Sequence, residues 1–180
     1  MKTLLSEEQL RDGIRQLAEK IHSHYQGKPL TIVGVLIGSL VLLADLIRLL
    51  DMPIRVELVQ ARSYRNGTRP GPLVLNTDLL SGDIRGRDVL LVDDIFDTGH
   101  TLWELIPQID ELGPASLRSA VLLLKQGQCV VDLKPDFVGF EVPNAFVVGY
   151  GLDYRDHYRN LPYVAVLEPQ DMQDDGVGEA

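Results

Sequence analysis

Cysteine is almost missing from this chain: Cys129 is the single one among 180 residues. One thiol cannot close an internal disulfide, so the fold must rest on its apolar core, and a reducing cytoplasm is the expected setting. An excess of positive charge is missing too. Lys and Arg number 17 against 26 Asp and Glu, a formal net charge of −9. That balance excludes the broad basic face on which nucleic-acid binding depends. A small anionic substrate stays compatible, provided a cation or local arginines offset the field. No leader is expected, because "MKTLLSEEQL" turns polar and acidic before an apolar segment can form. No uninterrupted membrane span is present either. The longest apolar stretch, residues 30–47, is broken by Gly34, Gly38, Ser39 and Asp45 and reads better as strand, turn and helix.

What is present suits one domain with a full core: 45% of residues are apolar and 24% charged. Ser6 with Gln9 forms a capping-box pattern, and Leu10, Ile14, Leu17, Ala18 and Ile21 fall on one helical face that Gly27 can end. "LTIVGVL" is a strand, "IGS" a turn, and "LVLLADLIRLL" a mostly buried helix. "IRVELVQA" (54–61), "DVLLVDDI" and "SLRSAVLLLK" supply further strands. Between them, "RSYRNGTRPGP" (62–72) reads as a mobile loop joining hairpin strands, and "TLWELIPQIDEL" as a helix that Pro107 should kink or shorten. Short strands follow in "FVGFEV", "FVVGYG" and "YVAVLE", and the acidic tail 169–180 is expected to be disordered. Strands alternating with helices predict an α/β fold: a mainly parallel, twisted sheet flanked by helices, with ligands outside the strands' carboxyl ends.

Two turns lie at such ends, "IGS" and "DDIFDTGHT". In the second, Thr98, Gly99, His100 and Thr101 lead into a helix and offer unpaired amides and hydroxyls, a fitting cradle for a phosphate monoester. Just before it, Asp93 and Asp94 stand at the strand's end, where two anionic acceptors suit vicinal hydroxyls. A ribose 5-phosphate satisfies both halves. A divalent-metal site or a solvated acid cluster would explain the acids alone, leaving the hydroxyl-rich turn without a purpose. Asp97, between the two groups, is placed to accept a proton near a sugar's anomeric carbon.

"VLLVDDIFDTGHTL" resembles the phosphoribosyl-pyrophosphate signature of the type I phosphoribosyltransferases. From about Leu30 to Leu167 the chain resembles the hypoxanthine-guanine phosphoribosyltransferase family in particular. "GVLIGSLVLLADLIR" is similar to that family's pyrophosphate-binding turn and helix, and "RSYRNGT" sits where its mobile loop carries a Ser-Tyr pair. "KPDFVGFEVPNAFVVGYGLDYRDHYRNLPY" is similar to its purine-binding hood. The resemblance implies one domain over 1–168, with a core at about 28–125 and a small hood of short strands from 1–27 and 126–168.

It also implies a magnesium-dependent purine-salvage enzyme. Ribose 5-phosphate would pass from 5-phospho-α-D-ribose 1-diphosphate to N9 of hypoxanthine, and of guanine. Asp93 and Asp94 would hold the ribose hydroxyls, Thr98 to Thr101 the 5-phosphate, and Asp97 would act as general base at N7. Lys125 would donate to O6, Phe146 and Ile95 would flank the base, and Val147 would contact it through its backbone. Gly38, Ser39 and Arg159 would bind pyrophosphate, Asp153 would contact magnesium, and Ser63 and Tyr64 would belong to a closing loop. The resemblance further implies a cis peptide at Leu36–Ile37. Two positions depart from it: Ile37 replaces a common lysine, and Asp93 a common glutamate. The expected assembly is a homodimer or homotetramer, with the apolar helix at 40–50 as a candidate interface, and neither nucleic acid nor membrane as partner. A non-catalytic phosphoribosyl-pyrophosphate sensor on the same fold is the alternative from another class, and a transferase for another base is the third reading.

Overall fold

The structure, a computed structural model, describes residues 1–63, 73–76, 83–168 and 170–171. It contains strands β1 (Lys2–Leu5), β2 (Leu30–Leu36), β3 (Ile54–Ser63), β4 (Leu73–Asn76), β5 (Asp88–Phe96), β6 (Ser116–Lys125), β7 (Phe137–Val142), β8 (Val147–Val148) and β9 (Val164–Val166). The helices are α1 (Glu7–Tyr25), α2 (Leu40–Leu46) and α3 (His100–Asp110). Six strands form one sheet in the order β4-β3-β2-β5-β6-β7, with β4 antiparallel to β3 and the other neighbours parallel. A second, antiparallel sheet joins β1, β9 and β8. The boundary between sheets falls after β7, so "FVGFEV" extends the large sheet's edge and only the later strands build the small one.

Why the central strands are continuous apolar runs follows from their two neighbours. Along β2, Leu30 and Ile32 enter the core beneath α1 and α2, while Val33 and Val35 enter the core beneath α3. In β5, Leu90 and Val92 face the first core, and Val89 and Leu91 the second. A period of two with helices on both faces leaves no solvated side to require polar residues.

The helices follow local signals closely. Ser6 accepts from the Gln9 amide at 3.2 Å and its own amide donates to Gln9 Oε1 at 2.8 Å, completing the capping box. The stop of α1 falls at Tyr25, two residues before Gly27, and Gln26 between them takes the left-handed cap at φ 52°. Pro107 does not break α3, which runs through it to Asp110. Proline removes the bond that would reach the carbonyl of Trp103, and both residues lie on the helix's exposed outer face, where solvent can take its place. α2 is shorter than the apolar run suggests, and it is buried along one side only: Leu42, Leu43 and Leu46 are covered, Leu40 is not.

β3 and β4 pair as a hairpin from Ser63 opposite Leu73, as the loop reading required. Tyr64 and the rest of 64–72 lie outside the described residues, as does the side chain of Ser63. Most of the acidic tail lies outside them too, but Asp171 pairs with the Met1 ammonium at 2.8 Å. Among the described residues, no helix is long and apolar enough to cross a membrane.

Replacing Ser6 by Ala removes one half of the capping box while leaving α1's packed face intact. The expected loss is about 1 kcal/mol, read as a fall of roughly 2–4 °C in the thermal unfolding midpoint. An unchanged midpoint would show that the cap contributes nothing to holding α1 on the sheet.

Candidate functional site

Parallel pairing of β2 with β5 puts their carboxyl ends side by side, with Gly34 opposite Val92. The two turns singled out in the sequence therefore meet. At the first, the Leu36–Ile37 peptide is cis, as expected, and Ile37 is exposed. Ser39 is fully buried and its hydroxyl donates inward to the Val35 carbonyl at 2.6 Å, so only its backbone remains for a ligand. Gly38 lies against Asp94 so closely that a β-carbon there would stand 1.7 Å from Asp94 Oδ2. The carbonyl of Gly38 is in turn covered by Gly151, where an added β-carbon would come within 2.2 Å of it. Glycine is required at both positions by close approach, and at Gly151 also by φ 98°.

Asp93 and Asp94 end the buried part of β5. Asp93 is only 5% exposed, and its carboxylate accepts the Asp94 amide at 3.0 Å. Burial pushes the Asp93 carboxyl well above the ordinary carboxylate range, and the adjacent Asp94 charge pushes it the same way. Burial also raises Asp94, while hydrogen bonds from Asp93 and the Ile95 amide, and the charge of Arg159, pull it back. The Asp94–Ile95 bond measures 2.8 Å. Holding both carboxyls charged is thus costly, and hydroxyl donors or a cation at the pair would offset that cost.

Beyond the acids, Gly99 occupies the N-cap of α3 at φ 88° and provides no capping side chain. A β-carbon there would meet Val131 at 2.5 Å and the Phe96 ring at 2.7 Å. The helix start stays open beside a cavity of about 100 Å³ lined by Ile95, Phe96, Asp97, Thr98, Gly99, Thr101 and Leu102. Uncapped amides at a helix N-terminus are electrostatically suited to an anion. His100 is the first helical residue and is exposed.

Lys125, at the end of β6, reaches Asp97: its Nζ lies 2.7 Å from Asp97 Oδ2, with the lysine side chain 10% and the aspartate 42% exposed. A donor and an acceptor are thereby fixed side by side. Phe146 is exposed and meets the Tyr154 ring edge-on at 5.6 Å, while Val147 is buried in the small sheet. Arg159 binds Asp153 at 2.8 Å and donates to the Gly151 carbonyl at 2.8 Å. Among the described residues, no three His, Cys, Asp or Glu side chains converge as a metal cage. Carboxylate oxygens are nonetheless the hard donors magnesium favours, and a cation held chiefly by substrate oxygens needs only one or two of them.

Sequence reasoning missed Gly151, whose contact with Gly38 joins the two loops. The flanking glycines of "GYG" were its visible signal. It also gave Lys125 and Asp97 separate roles without their mutual ion pair, which a pattern along the chain does not display.

A parallel sheet with an uncapped helix start and acids at its carboxyl ends has the layout of a nucleotide-handling α/β protein. The family profile of the phosphoribosyl transferase domain matches residues 1–155. The chain is 41% identical over 172 residues to the hypoxanthine-guanine phosphoribosyltransferase of Lactococcus lactis, covering 94% of this chain and 92% of that one. It is 42% identical over 169 residues to the enzyme of the same name from Aquifex aeolicus, covering 93% and 95%. Among solved structures, hypoxanthine phosphoribosyltransferase from Trypanosoma cruzi, in complex with the product IMP, matches with a TM-score of 0.86 at 38% identity over 95% of this chain and 96% of that one. The chain belongs to the phosphoribosyltransferase family, in its hypoxanthine-guanine branch.

Asp93→Asn tests the buried acid pair. A carboxyl raised in the folded state contributes stability below its unfolded pKa of about 3.9, and that contribution is lost as pH rises through the folded value. The asparagine variant should therefore gain stability over wild type as pH goes from 5 to 8. The expected gain near the top of that range is about 1 kcal/mol, or roughly 2–4 °C. A gap in unfolding midpoint that stays constant with pH would contradict the assignment.

Proposed function

We propose that the protein transfers ribose 5-phosphate from 5-phospho-α-D-ribose 1-diphosphate to N9 of hypoxanthine, and of guanine, in purine salvage. The observation that carries this reading is the Lys125–Asp97 pair, 2.7 Å apart beside the cavity at Thr98–Thr101. A 6-oxopurine presents O6, an acceptor, next to N7–H, a donor. An ammonium beside a carboxylate complements that edge, whereas adenine's amino group would face the ammonium donor to donor.

In this reading Asp93 and Asp94 accept from the ribose 2- and 3-hydroxyls, and the amides and hydroxyls of Thr98, Gly99, His100 and Thr101 bind the 5-phosphate. Phe146 and Ile95 enclose the base, with Val147 contacting it through its backbone. Gly38, Ser39 and Arg159 face the pyrophosphate, and Asp153 faces magnesium. Magnesium, when bound with the donor, neutralises the diphosphate and makes it a better leaving group. The bond from the anomeric carbon to the diphosphate oxygen breaks, and its electron pair leaves with pyrophosphate. The N9 lone pair forms the new bond while the N7 proton passes to Asp97. The negative charge of Asp97 also favours the positive charge developing on the ribose. Ser63 and Tyr64 belong to the segment that closes over the reaction and keeps water from the ribosyl centre. Exposed Ile37, Leu40 and Leu49 support a homodimer or homotetramer, and the single cysteine suits a reducing cytoplasm.

With magnesium and the ribosyl donor, nucleotide formation should be readily measured for hypoxanthine and detectable for guanine. Adenine should turn over at less than roughly one-hundredth of the hypoxanthine rate. Equal use of adenine would refute the role given to Lys125. Asp97→Asn should lower kcat by about 10²-fold or more with little change in the KM of the donor; an unchanged kcat would remove Asp97 from the proton transfer.

A further inference from the structure

The loop that carries Asp153 and Arg159 holds an unusual backbone. Tyr150, Arg155, Asp156 and Tyr158 have φ of 53°, 52°, 65° and 75°. Residues with a β-carbon rarely adopt this region, and such conformations persist only where the surroundings over-determine them. Several fastenings are internal to the loop. The Tyr150 amide donates to the Leu161 carbonyl at 2.8 Å, the Gly151 amide to Arg159 at 3.0 Å, and the Asp156 amide to Asp153 Oδ2 at 2.9 Å.

A different fastening crosses to another element. The Tyr150 hydroxyl donates to Asp45 Oδ2 on α2, a contact spanning 105 positions of sequence. The other oxygen of Asp45 pairs with Arg48, whose Nε donates to the Ala44 carbonyl at 3.0 Å. Burial and the Asp45 hydrogen bond push the Tyr150 phenol up, so it remains a donor throughout the neutral range. α2 starts immediately after the turn holding Gly38 and Ser39. Next to Tyr150, Gly151 sits on the Gly38 carbonyl and accepts from Arg159. The hydroxyl bond therefore ties the strained loop to the helix that begins at the turn facing it. A cavity of about 620 Å³ lies behind this tie, lined in part by Asp45, Arg48, Tyr150 and Arg159.

We propose that the Tyr150–Asp45 hydrogen bond is a latch that seats the 149–159 loop on the 36–39 turn and so sets the spacing of the groups that receive the ribosyl donor. Tyr150 and Asp45 are positioning residues for the donor half of the site. The purine-reading pair, Asp97 and Lys125, is carried by the ends of β5 and β6 instead. The inference rests on the function proposed above, since it assigns that loop and turn to the donor.

Tyr150→Phe removes one oxygen and keeps the ring, so the variant should fold. In steady-state kinetics the donor KM is expected to rise roughly five- to tenfold, with kcat and the hypoxanthine KM within about twofold of wild type. Asp45→Asn, which keeps an acceptor oxygen for the phenol, should retain most of the donor affinity. Asp45→Ala should match Tyr150→Phe, and the two together should be no worse than either alone. Hydrogen exchange of the 149–159 amides in the ligand-free protein should quicken in Tyr150→Phe, a readout independent of turnover. An unchanged donor KM, or donor and purine KM rising in step, would overturn the latch, as would unchanged exchange. A wild-type protein inactive with hypoxanthine, together with faster exchange in Tyr150→Phe than in wild type, would sink the functional reading and leave the latch standing.

Discussion

Two carboxylates driven out of water at the end of β5 organise what surrounds them. Asp93 is nearly inaccessible, and Asp94 presses on the α-carbon of Gly38 in the neighbouring turn. Burying adjacent acids disfavours their charged forms, and the fold tolerates it only with compensation from amides, from Arg159 and from whatever ligand arrives. Parallel pairing is what forces the encounter, because it sets the ends of β2 and β5 at one level. From this contact the rest of the site extends outward. Gly151 covers Gly38, Arg159 holds Gly151, and Asp153 holds Arg159. Strained and desolvated groups of this kind lower stability, and they persist where binding uses them.

In the proposed function, the half that reads the base is built on a different interaction. Lys125 and Asp97 satisfy each other in the ligand-free protein, so neither is a lone charge at a half-buried position. In that proposal, a purine replacing their mutual contact would have to offer an acceptor and a donor at adjacent atoms, which is a demand for a 6-oxopurine edge. Selectivity then comes from polar groups left unpaired with the wrong base, a stronger discriminator than shape alone. Two halves with separate supports also explain how the donor and the base can be positioned by different parts of the chain.

Strands β2, β6 and β7 have the bounds their apolar runs imply, and the capping box starts α1 where Ser6 and Gln9 place it. These features are local, so a single sequence displays them. β1 was not legible: four residues gain their strand geometry only by pairing with β9, at the far end of the chain. Pro107 pointed to a kink or a shorter helix, and α3 ends at Asp110, two residues short of the pattern's Leu112, while running through the proline itself. The acids, the Thr98–Thr101 turn and Lys125 could be singled out as candidates from the motif and the family likeness. What could not be read were the long-range contacts that fix them, namely Gly38 on Asp94, Lys125 on Asp97 and Tyr150 on Asp45.

A crystal structure of the protein bound to IMP tests the central claim most directly. The account predicts the 5-phosphate on the backbone amides of Thr98 to Thr101, the ribose hydroxyls on Asp93 and Asp94, and O6 within hydrogen-bonding distance of Lys125 Nζ. A nucleotide bound elsewhere, with the Lys125–Asp97 contact intact and the start of α3 filled only by water, would contradict it.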